Sequence, residues 1–294
     1  MRKCAVFAVA SRNIHRINDG MLAMLSLSEF RTGAIDDFLA YWLANALLPE
    51  DEQKTFDDYY HSYKRHFGPY VRCWYARQSR ELTEMVRSRA ALRVLEIGCG
   101  CGTEALWAAV LGADVTGIDI SPHLLAVAKA RLGLIEQETR ERLRCRFLPT
   151  SVLEVDETHP FDVIFLEQAF HHLEPRADVV AKLSRLVVPG GHIILSESNG
   201  WNPFLQAVLF KLRGTKTIIH HMGHIWGNER ITVPAAVIRN FRPYRVEPAR
   251  LQYFRVFPNI PLADSLRFVD RALPSYFKPL FTHYNLVLKR QSSS

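Results

Sequence analysis

A glycine-rich loop near residue 100 carries residue types that could hold a small ligand with an anionic group. Glycine tolerates backbone conformations that other residues avoid, and it lets a ligand approach the chain closely. The helix predicted after the loop would offer unpaired backbone N–H groups to an anion. A tight turn without a ligand would also use glycines. The loop reads Glu96-Ile97-Gly98-Cys99-Gly100-Cys101-Gly102-Thr103.

An acid further along the chain favours a ligand over a simple turn. Asp119 ends the second predicted strand, 17 residues after Gly102. A carboxylate at this position can accept hydrogen bonds from both hydroxyls of a ribose. Gly100-x-Gly102-x-x-Ala105 also fits the pattern of dinucleotide-binding loops. Asp119 therefore indicates a nucleoside cofactor without choosing between a dinucleotide and a nucleoside that lacks a pyrophosphate.

Two groups of histidines could transfer protons or bind a metal. His171 and His172 follow the fourth predicted strand, and an imidazole with an ordinary pKa of about 6.5 suits a general base. A histidine at a helix start can equally have a packing role. His220, His221 and His224 form H-H-x-x-H, which differs from the H-E-x-x-H of zinc proteases and contains no acid. We expect no metal site. We expect the second cluster either to contact the substrate or to pack within the fold.

Alternating strand and helix patterns surround these residues. Apolar runs separated by helix-length segments predict parallel strands with helices between them. Ser121-Pro122 begins the helix after the second strand, with the hydroxyl at the N-cap and proline at the first position. This pattern predicts a doubly wound α/β sheet, whose carboxyl edge gathers the ligand-binding loops. The strands are predicted at residues 92–97, 114–119, 143–148, 161–166, 192–197, 245–256 and 283–289.

The residues before the first strand have a different character. Apolar residues recur at helical spacing over residues 35–46 and predict an amphipathic helix. Residues 50–58 are rich in acids and predict a linker. Residues 70–89 predict one further helix.

Composition sets the broad class of the protein. The 294 residues suit one large domain with additions, and 48% hydrophobic and 23% charged residues are typical of a globular chain. No apolar run is long enough to span a membrane. The five cysteines lack the spacing of a disulfide framework, which favours reduced thiols in a cytoplasmic protein.

Charge and aromatic residues are concentrated in the last third of the chain. Residues 201–294 carry 14 Lys/Arg against 4 Asp/Glu, and they include 14 of the 32 aromatic residues. A basic, aromatic segment indicates an anionic or amphiphilic partner, although a solvated basic face over an ordinary core explains it equally well.

Five motifs in order resemble the class I S-adenosylmethionine-dependent methyltransferases. The resemblance covers roughly residues 90–200 and is closest to the small-molecule group that includes ubiquinone and menaquinone methyltransferases. It implies a Rossmann-like seven-stranded sheet of order 3-2-1-4-5-7-6, with the last strand, at residues 283–289, antiparallel. The motifs are the glycine loop with Glu96, Gly117-Ile118-Asp119-Ile120-Ser121, Phe161-Asp162-Val163-Ile164, His171-His172-Leu173 and Leu186-Val187-Val188-Pro189-Gly190-Gly191.

The resemblance implies how the cofactor, S-adenosylmethionine, is held. Glu96 and the loop of Gly98, Cys99, Gly100 and Gly102 would hold the methionine end of the cofactor. Asp119 would bind the ribose, and Ile120 would pack on the adenine.

The resemblance also assigns roles further along the chain. Ser151 and Val152 stand where the family often has an acid followed by an apolar residue near the adenine amine. Serine departs from that pattern, so a backbone contact to the amine is the remaining option. Glu167 and Gln168 would face the methyl-transfer centre. Of the two adjacent histidines, His172 is the expected base for a hydroxyl or amine acceptor, and Glu167 is the better candidate for a carbon acceptor.

The positions of the predicted strands set the expected domain organisation. Residues 1–75 would form a helical N-terminal cover, and residues 76–294 would form the methyltransferase domain, with substrate-covering insertions at about residues 199–233 and 255–281. These covers would pack over the carboxyl edge of the sheet and enclose the acceptor. The expected lining residues are Tyr59, Tyr60, Tyr63, Trp201, Trp226 and Phe254.

Functions of different classes compete for a domain of this kind. The basic balance favours an RNA methyltransferase as the second possibility, but no Asn-Pro-Pro-Tyr-type motif stands at Glu167-Gln168-Ala169-Phe170, which argues against nucleic acid. A nicotinamide oxidoreductase would use the same glycine loop and acid. A non-catalytic partner protein could keep the fold, although the intact loop and Asp119 argue against it.

The acceptor class is predicted from the composition of the last third of the chain. We expect a small-molecule or lipid-like acceptor that combines an apolar body with an anionic group. Arg230, Arg239 and Arg255 are the candidate clamps for the anion. The oligomeric state is left open, including a homo-oligomer.

Overall fold

A seven-stranded sheet forms the centre of the protein. The computed structural model describes residues 27–207, 219–220, 228–229, 231–273 and 276–292. The sheet has the order β3-β2-β1-β4-β5-β7-β6, in which β1 to β5 are parallel and β7 runs antiparallel to β5 and β6. This confirms the predicted order and the antiparallel last strand. The strands are β1 (Arg93–Ile97), β2 (Asp114–Asp119), β3 (Cys145–Pro149), β4 (Phe161–Glu167), β5 (Val187–Ser198), β6 (Val246–Phe254) and β7 (His283–Arg290).

Helices pack on both faces of the sheet, as the alternation of patterns predicted. Short 3-10 helices follow β3, β4 and α10 and precede β7, and a two-residue ladder joins Ile219–His220 to Asn228–Glu229. No helix in the described part of the chain has the length and apolar character to cross a membrane. The helices are α1 (Leu27–Thr32), α2 (Ile35–Ala44), α3 (Glu50–Tyr59), α4 (His61–Arg65), α5 (Pro69–Gln78), α6 (Arg80–Ser88), α7 (Thr103–Val110), α8 (Pro122–Thr139), α9 (Arg176–Leu186), α10 (Pro234–Phe241), α11 (Leu262–Ser265) and α12 (Val269–Ala272).

Two predictions for the N-terminal region were wrong. Residues 50–58 form helix α3 and not a linker, because their acids stand in the first helical turn, where negative charge is favoured by the helix dipole, and Phe56 is buried in the core. The single helix predicted over residues 70–89 is two helices, α5 and α6, which meet at the fully buried Ser79.

The C-terminal region folds back onto the N-terminal helices. Asp264 at α11 accepts a hydrogen bond from the backbone N–H of Tyr70 at 2.8 Å and lies 3.1 Å from His66 Nε2. The side-chain amide of Asn259 donates to the carbonyls of Ser62 and His66. Helices α4 and α5 are therefore tied to the segment after β6.

A buried arginine joins the N-terminal helices to the glycine loop. Arg131 of α8 is fully buried, and its Nη1 donates to the carbonyl of Cys101 at 2.7 Å and to the hydroxyl of Thr103 at 2.8 Å. Its guanidinium lies 4.6 Å from the ring centre of Trp42 and 5.3 Å from that of Phe56. Because α2 and α3 supply these rings, the loop and the N-terminal helices share one anchor.

We predict that Arg131→Ala lowers the free energy of unfolding by about 3 kcal/mol, because the substitution opens a cavity and removes buried hydrogen bonds and cation–π contacts. Urea denaturation measures this loss. Arg142→Ala is the control, since this side chain just after α8 is almost fully exposed and its removal should leave stability nearly unchanged. Equal stability of the two variants would contradict an anchoring role for Arg131.

Candidate functional site

A cavity of about 350 Å³ lies at the carboxyl edge of β1, β2 and β4. The ends of these strands, the loop after β3, and helices α3 to α5 form its wall. Eight of the predicted site residues lie in this wall, and the rest of the glycine loop with Glu96 and His171 lies behind it. The eight are Gly98, Asp119, Ile120, Ser151, Val152, Glu167, Gln168 and His172.

Backbone amides fix the carboxylate of Asp119. The N–H of Gly100 donates to Asp119 Oδ2 at 2.9 Å, and the N–H of Ser121 donates to Oδ1 at 2.8 Å. Burial raises the pKa of Asp119, while these amides oppose that shift. Each carboxylate oxygen keeps lone-pair capacity for a further donor in the cavity.

The glycine loop has no room for a side chain at Gly100. Its φ is +51°, and a Cβ built there would lie 2.3 Å from the hydroxyl of Tyr59. The N-terminal helices thus approach the loop as closely as glycine permits. Cys99 and Cys101 are buried and form no disulfide, as expected for small packing residues.

Glu96 lies behind the loop with an unsatisfied carboxylate oxygen. The side chain is buried, and no described residue forms a hydrogen bond with its Oε2. Burial raises the pKa of Glu96, and the nearby carboxyls of Glu104 and Glu167 raise it further. An orphaned carboxylate oxygen in this position is suited to a ligand that brings a hydrogen-bond donor or a positive charge.

The wall around Ile120 is apolar and open. Ile120 is 70% exposed although it lines the cavity, and Val152 lies in the same wall. Ser151 begins a short 3-10 helix, where its hydroxyl accepts from the N–H of Leu153 at 3.3 Å and its own N–H donates to Glu154. The hydroxyl of Ser151 is therefore used in capping, which leaves the backbone of this loop for a ligand.

The end of β4 presents a carboxyl group to the cavity. Burial raises the pKa of Glu167, and the carboxyl of Glu104 raises it further. The next residue, Gln168, has a φ of +47°, and its N–H donates to the carbonyl of Ser196 at 2.9 Å. A non-glycine residue in the left-handed region is strained, and such strain is frequent at functional sites.

Glu197, which the sequence analysis did not single out, organises the two histidines. Its Oε1 accepts the N–H groups of Ala169 at 3.1 Å and Phe170 at 2.7 Å, and its Oε2 accepts from His171 Nδ1 at 2.6 Å. His171 is therefore buried against Glu197, whereas His172 lies in the cavity wall. The adjacent rings are 4.0 Å apart, so that fixing one restrains the other.

Aromatic and acidic side chains from the N-terminal side complete the wall. Tyr59, Tyr60 and Tyr63, which were predicted to line the acceptor site, lie in the cavity wall. Tyr75 and Glu104 were missed, and the Tyr75 hydroxyl donates to Glu104 Oε1 at 2.7 Å. The signal for Glu104 was present, because it is the only charged residue of α7, a helix buried along its whole length.

Other predicted residues lie away from the cavity or outside the described residues. Arg239 is exposed on α10. Arg255 is half-buried, 4.3 Å from the ring centre of Trp74; burial lowers its pKa, and the nearby Tyr63 and Glu167 of the cavity wall oppose that shift. Phe254 is buried beside His283, and Trp201 is exposed at the surface. The described lining contains no lysine or arginine. The side chains of Trp226, Arg230, His220, His221 and His224 lie outside the described residues.

The central part of the chain is similar in sequence to known methyltransferases. Residues 95–193 match the family model described as a methyltransferase domain. The chain is 37% identical to a ubiquinone biosynthesis O-methyltransferase of Dechloromonas aromatica over 134 residues, which are 45% of this chain and 54% of that protein. It is 36% identical to the protein of the same name from Alkalilimnicola ehrlichii over 127 residues, 43% of this chain and 49% of that protein. The chain thus spans about half the length of the curated relatives it matches.

Solved structures share the fold. Magnesium protoporphyrin IX methyltransferase from Synechocystis PCC 6803, crystallised with bound S-adenosylhomocysteine, aligns with a TM-score of 0.52 at 15% identity, over 82% of this chain and 100% of that one. A putative S-adenosylmethionine-dependent methyltransferase from Listeria monocytogenes aligns with a TM-score of 0.51 at 16% identity, over 73% of this chain and 98% of that one. At these identities the likeness concerns the Rossmann-like fold.

We predict that Glu197→Ala lowers the free energy of unfolding by about 3 kcal/mol, because two buried backbone N–H groups and the His171 ring lose their acceptor. Urea denaturation measures the loss. Glu247→Ala on the exposed surface of β6 is the matched control and should have little effect. If Glu197→Ala were as stable as the control, the carboxylate would not hold the histidine turn.

Proposed function

We propose that the protein binds S-adenosylmethionine in this cavity and methylates a small-molecule acceptor, because residues 95–193 match a methyltransferase domain. When bound, the cofactor supplies an electrophilic methyl group on a positively charged sulfur. The observation that carries the proposal is the convergence of Asp119, Ile120 and Glu167 on one cavity beside the glycine loop.

The residues present fit this cofactor. Asp119 would accept the ribose hydroxyls, since its two oxygens are already aimed by the amides of Gly100 and Ser121. The exposed side chain of Ile120 offers an apolar surface to the adenine. The orphaned Oε2 of Glu96 suits the ammonium of the methionine end. The loop of Gly98, Cys99, Gly100 and Gly102 would lie against the methionine end and shape its pocket, since the N–H groups of these four residues already donate within the fold, to Ile118, Asp119 and Cys99.

The chain's own contribution to methyl transfer is alignment, exclusion of water and proton removal. Tyr59 and Tyr63 cover the cavity beside Glu167 and would hold the acceptor in line with the methyl group. Transfer would join the nucleophilic atom of the acceptor to the methyl carbon and would leave the electron pair of the broken carbon–sulfur bond on sulfur. His172 would take the proton of a hydroxyl or amine acceptor. With a carbon acceptor, Glu167 would take the proton after transfer.

A small or lipid-like acceptor with a hydroxyl group is the acceptor class we propose. The relatives named above are ubiquinone O-methyltransferases, and the tyrosine-rich wall supports an acceptor with an aromatic or apolar body. The anionic group predicted from the basic balance has no lysine or arginine to meet it among the described lining residues. The RNA methyltransferase function rests on that same basic balance and gains no support from the cavity.

The remaining expectations stand as proposals. We retain residues 1–75 as the N-terminal cover and residues 76–294 as the methyltransferase domain, with the covers near residues 199–233 and 255–281. Cys99, Cys101 and Cys145 form no disulfide, which supports the proposal of a reducing, cytoplasmic location. A homo-oligomer stays an open prediction.

We predict that Asp119→Ala weakens S-adenosylmethionine binding at least about tenfold, since the ribose loses its charged acceptor. Gly100→Val should abolish binding because a branched side chain meets Tyr59. Titration calorimetry measures both, with circular dichroism to confirm folding. Asp114→Ala, at the amino end of the same strand, and Gly133→Ala, where an added Cβ meets no atom within 4 Å, are the controls. Unchanged affinity in both Asp119→Ala and Gly100→Val would refute the assigned site.

We predict that His172→Ala lowers turnover by about 100- to 10,000-fold and leaves cofactor affinity nearly intact, because a positioned base is lost. A mass-spectrometric screen for acceptors that gain one methyl group comes first. His159→Ala, at an exposed position before β4, is the matched control. A loss below about fivefold would instead assign the base role to Glu167 or to no residue. Equal losses of affinity and turnover would make His172 a packing residue.

A further inference from the structure

Large apolar side chains stand exposed at one place on the carboxyl edge of the sheet. Trp201 is 51% exposed and Phe204 is 76% exposed, in the segment that follows β5. Tyr276, Phe277 and Leu280, in the segment that precedes β7, are 72%, 42% and 41% exposed. We call these five residues the aromatic surface. Monomeric proteins seldom leave such a group of side chains in water without a binding role.

Two buried asparagines hold the two segments side by side. The side-chain amide of Asn199 donates to the carbonyls of Lys278 at 2.9 Å and Phe281 at 2.8 Å. The amide of Asn202 donates to the carbonyls of Pro279 at 3.0 Å and Leu280 at 3.3 Å. The exposed side chains therefore project from two segments whose backbones these hydrogen bonds join.

The two segments that carry the aromatic surface contain one positive charge and no acid. Residues 199–207 and 276–282 contain no Asp or Glu, and Lys278 is exposed among the rings. The acids that precede the two segments most closely are used internally, since Glu197 accepts from Ala169, Phe170 and His171, and Asp270 accepts from the Tyr70 hydroxyl and the N–H of Val256. Exposed aromatic rings beside a positive charge match the boundary between headgroups and acyl chains of an anionic bilayer.

A second copy of the chain fits this surface less well. A twofold contact would place the aromatic surface against itself. The exposed Lys278 of each copy would then approach a segment that contains no acid.

The surface also adjoins the cavity, because the hydroxyl of Ser198 at the end of β5 donates to Gln168 in the cavity wall at 2.8 Å.

We propose that the aromatic surface docks the protein on membranes that contain anionic phospholipid. Trp201, Phe204 and Phe277 enter the headgroup region, and Lys278 lies at the level of the phosphates. Docking in this orientation turns the carboxyl edge of the sheet, and with it the cavity, towards the lipid. The proposal concerns lipid binding alone and does not depend on the proposed methyl transfer.

Flotation with vesicles of phosphatidylcholine, with and without phosphatidylglycerol, tests the proposal on the full chain. The parent should bind the phosphatidylglycerol vesicles, and Trp201→Ser/Phe204→Ser should lower partitioning at least about tenfold. Lys278→Glu should lower binding to the anionic vesicles about fivefold or more. Tyr244→Ser and Lys289→Glu are matched controls, because both side chains are exposed near the opposite edge of the sheet, and they should bind like the parent.

Three results would overturn the proposal. The first is a parent that does not float with anionic vesicles. The second is equal binding by the parent and Trp201→Ser/Phe204→Ser, with circular dichroism confirming that both are folded. The third is a dimer, seen by light scattering, that Phe204→Ser dissociates while vesicle binding is absent, since the surface would then be an interface between copies.

Discussion

The buried guanidinium of Arg131 is the interaction on which the arrangement of the site depends. It donates to the glycine loop at Cys101 and Thr103, and it is covered by rings from α2 and α3. A hydrogen bond between Tyr60 and Thr103 at 2.6 Å adds a second link between the loop and the N-terminal helices. The N-terminal region is thus part of the same packed core as the loop, and the tyrosines it carries are held at fixed positions over the cavity.

Buried acids give the cavity its electrostatic character. Burial raises the pKa of Glu96, Glu104 and Glu167, and each of these carboxyls lies near another. A cationic ligand would favour their charged forms, whereas an anionic one would oppose them. This agrees with a sulfonium cofactor. The described lining of the cavity contains no lysine or arginine, although Arg255 lies close enough to Glu167 to lower its pKa.

The sequence predicted the sheet well because its signals are local. Each signal can be read within a few neighbouring residues: the short apolar runs, the Ser121-Pro122 cap and the glycine loop. The resemblance supplied the strand order. The prediction of a linker over residues 50–58 was wrong because it rested on their acidic composition. The segment is a helix anchored by Phe56, which is buried against Arg131 of α8. Glu197 and Tyr75 could not be found from sequence, since their partners lie 26 to 29 residues away and meet them only in the folded chain.

The most direct test of this account is a crystal structure of the protein with S-adenosylhomocysteine. We expect the ribose hydroxyls to lie within hydrogen-bond distance of Asp119, the adenine to pack on Ile120, and the sulfur to point towards Glu167 and the tyrosine wall. An adenosine bound outside this cavity, or a ribose turned away from Asp119, would contradict it.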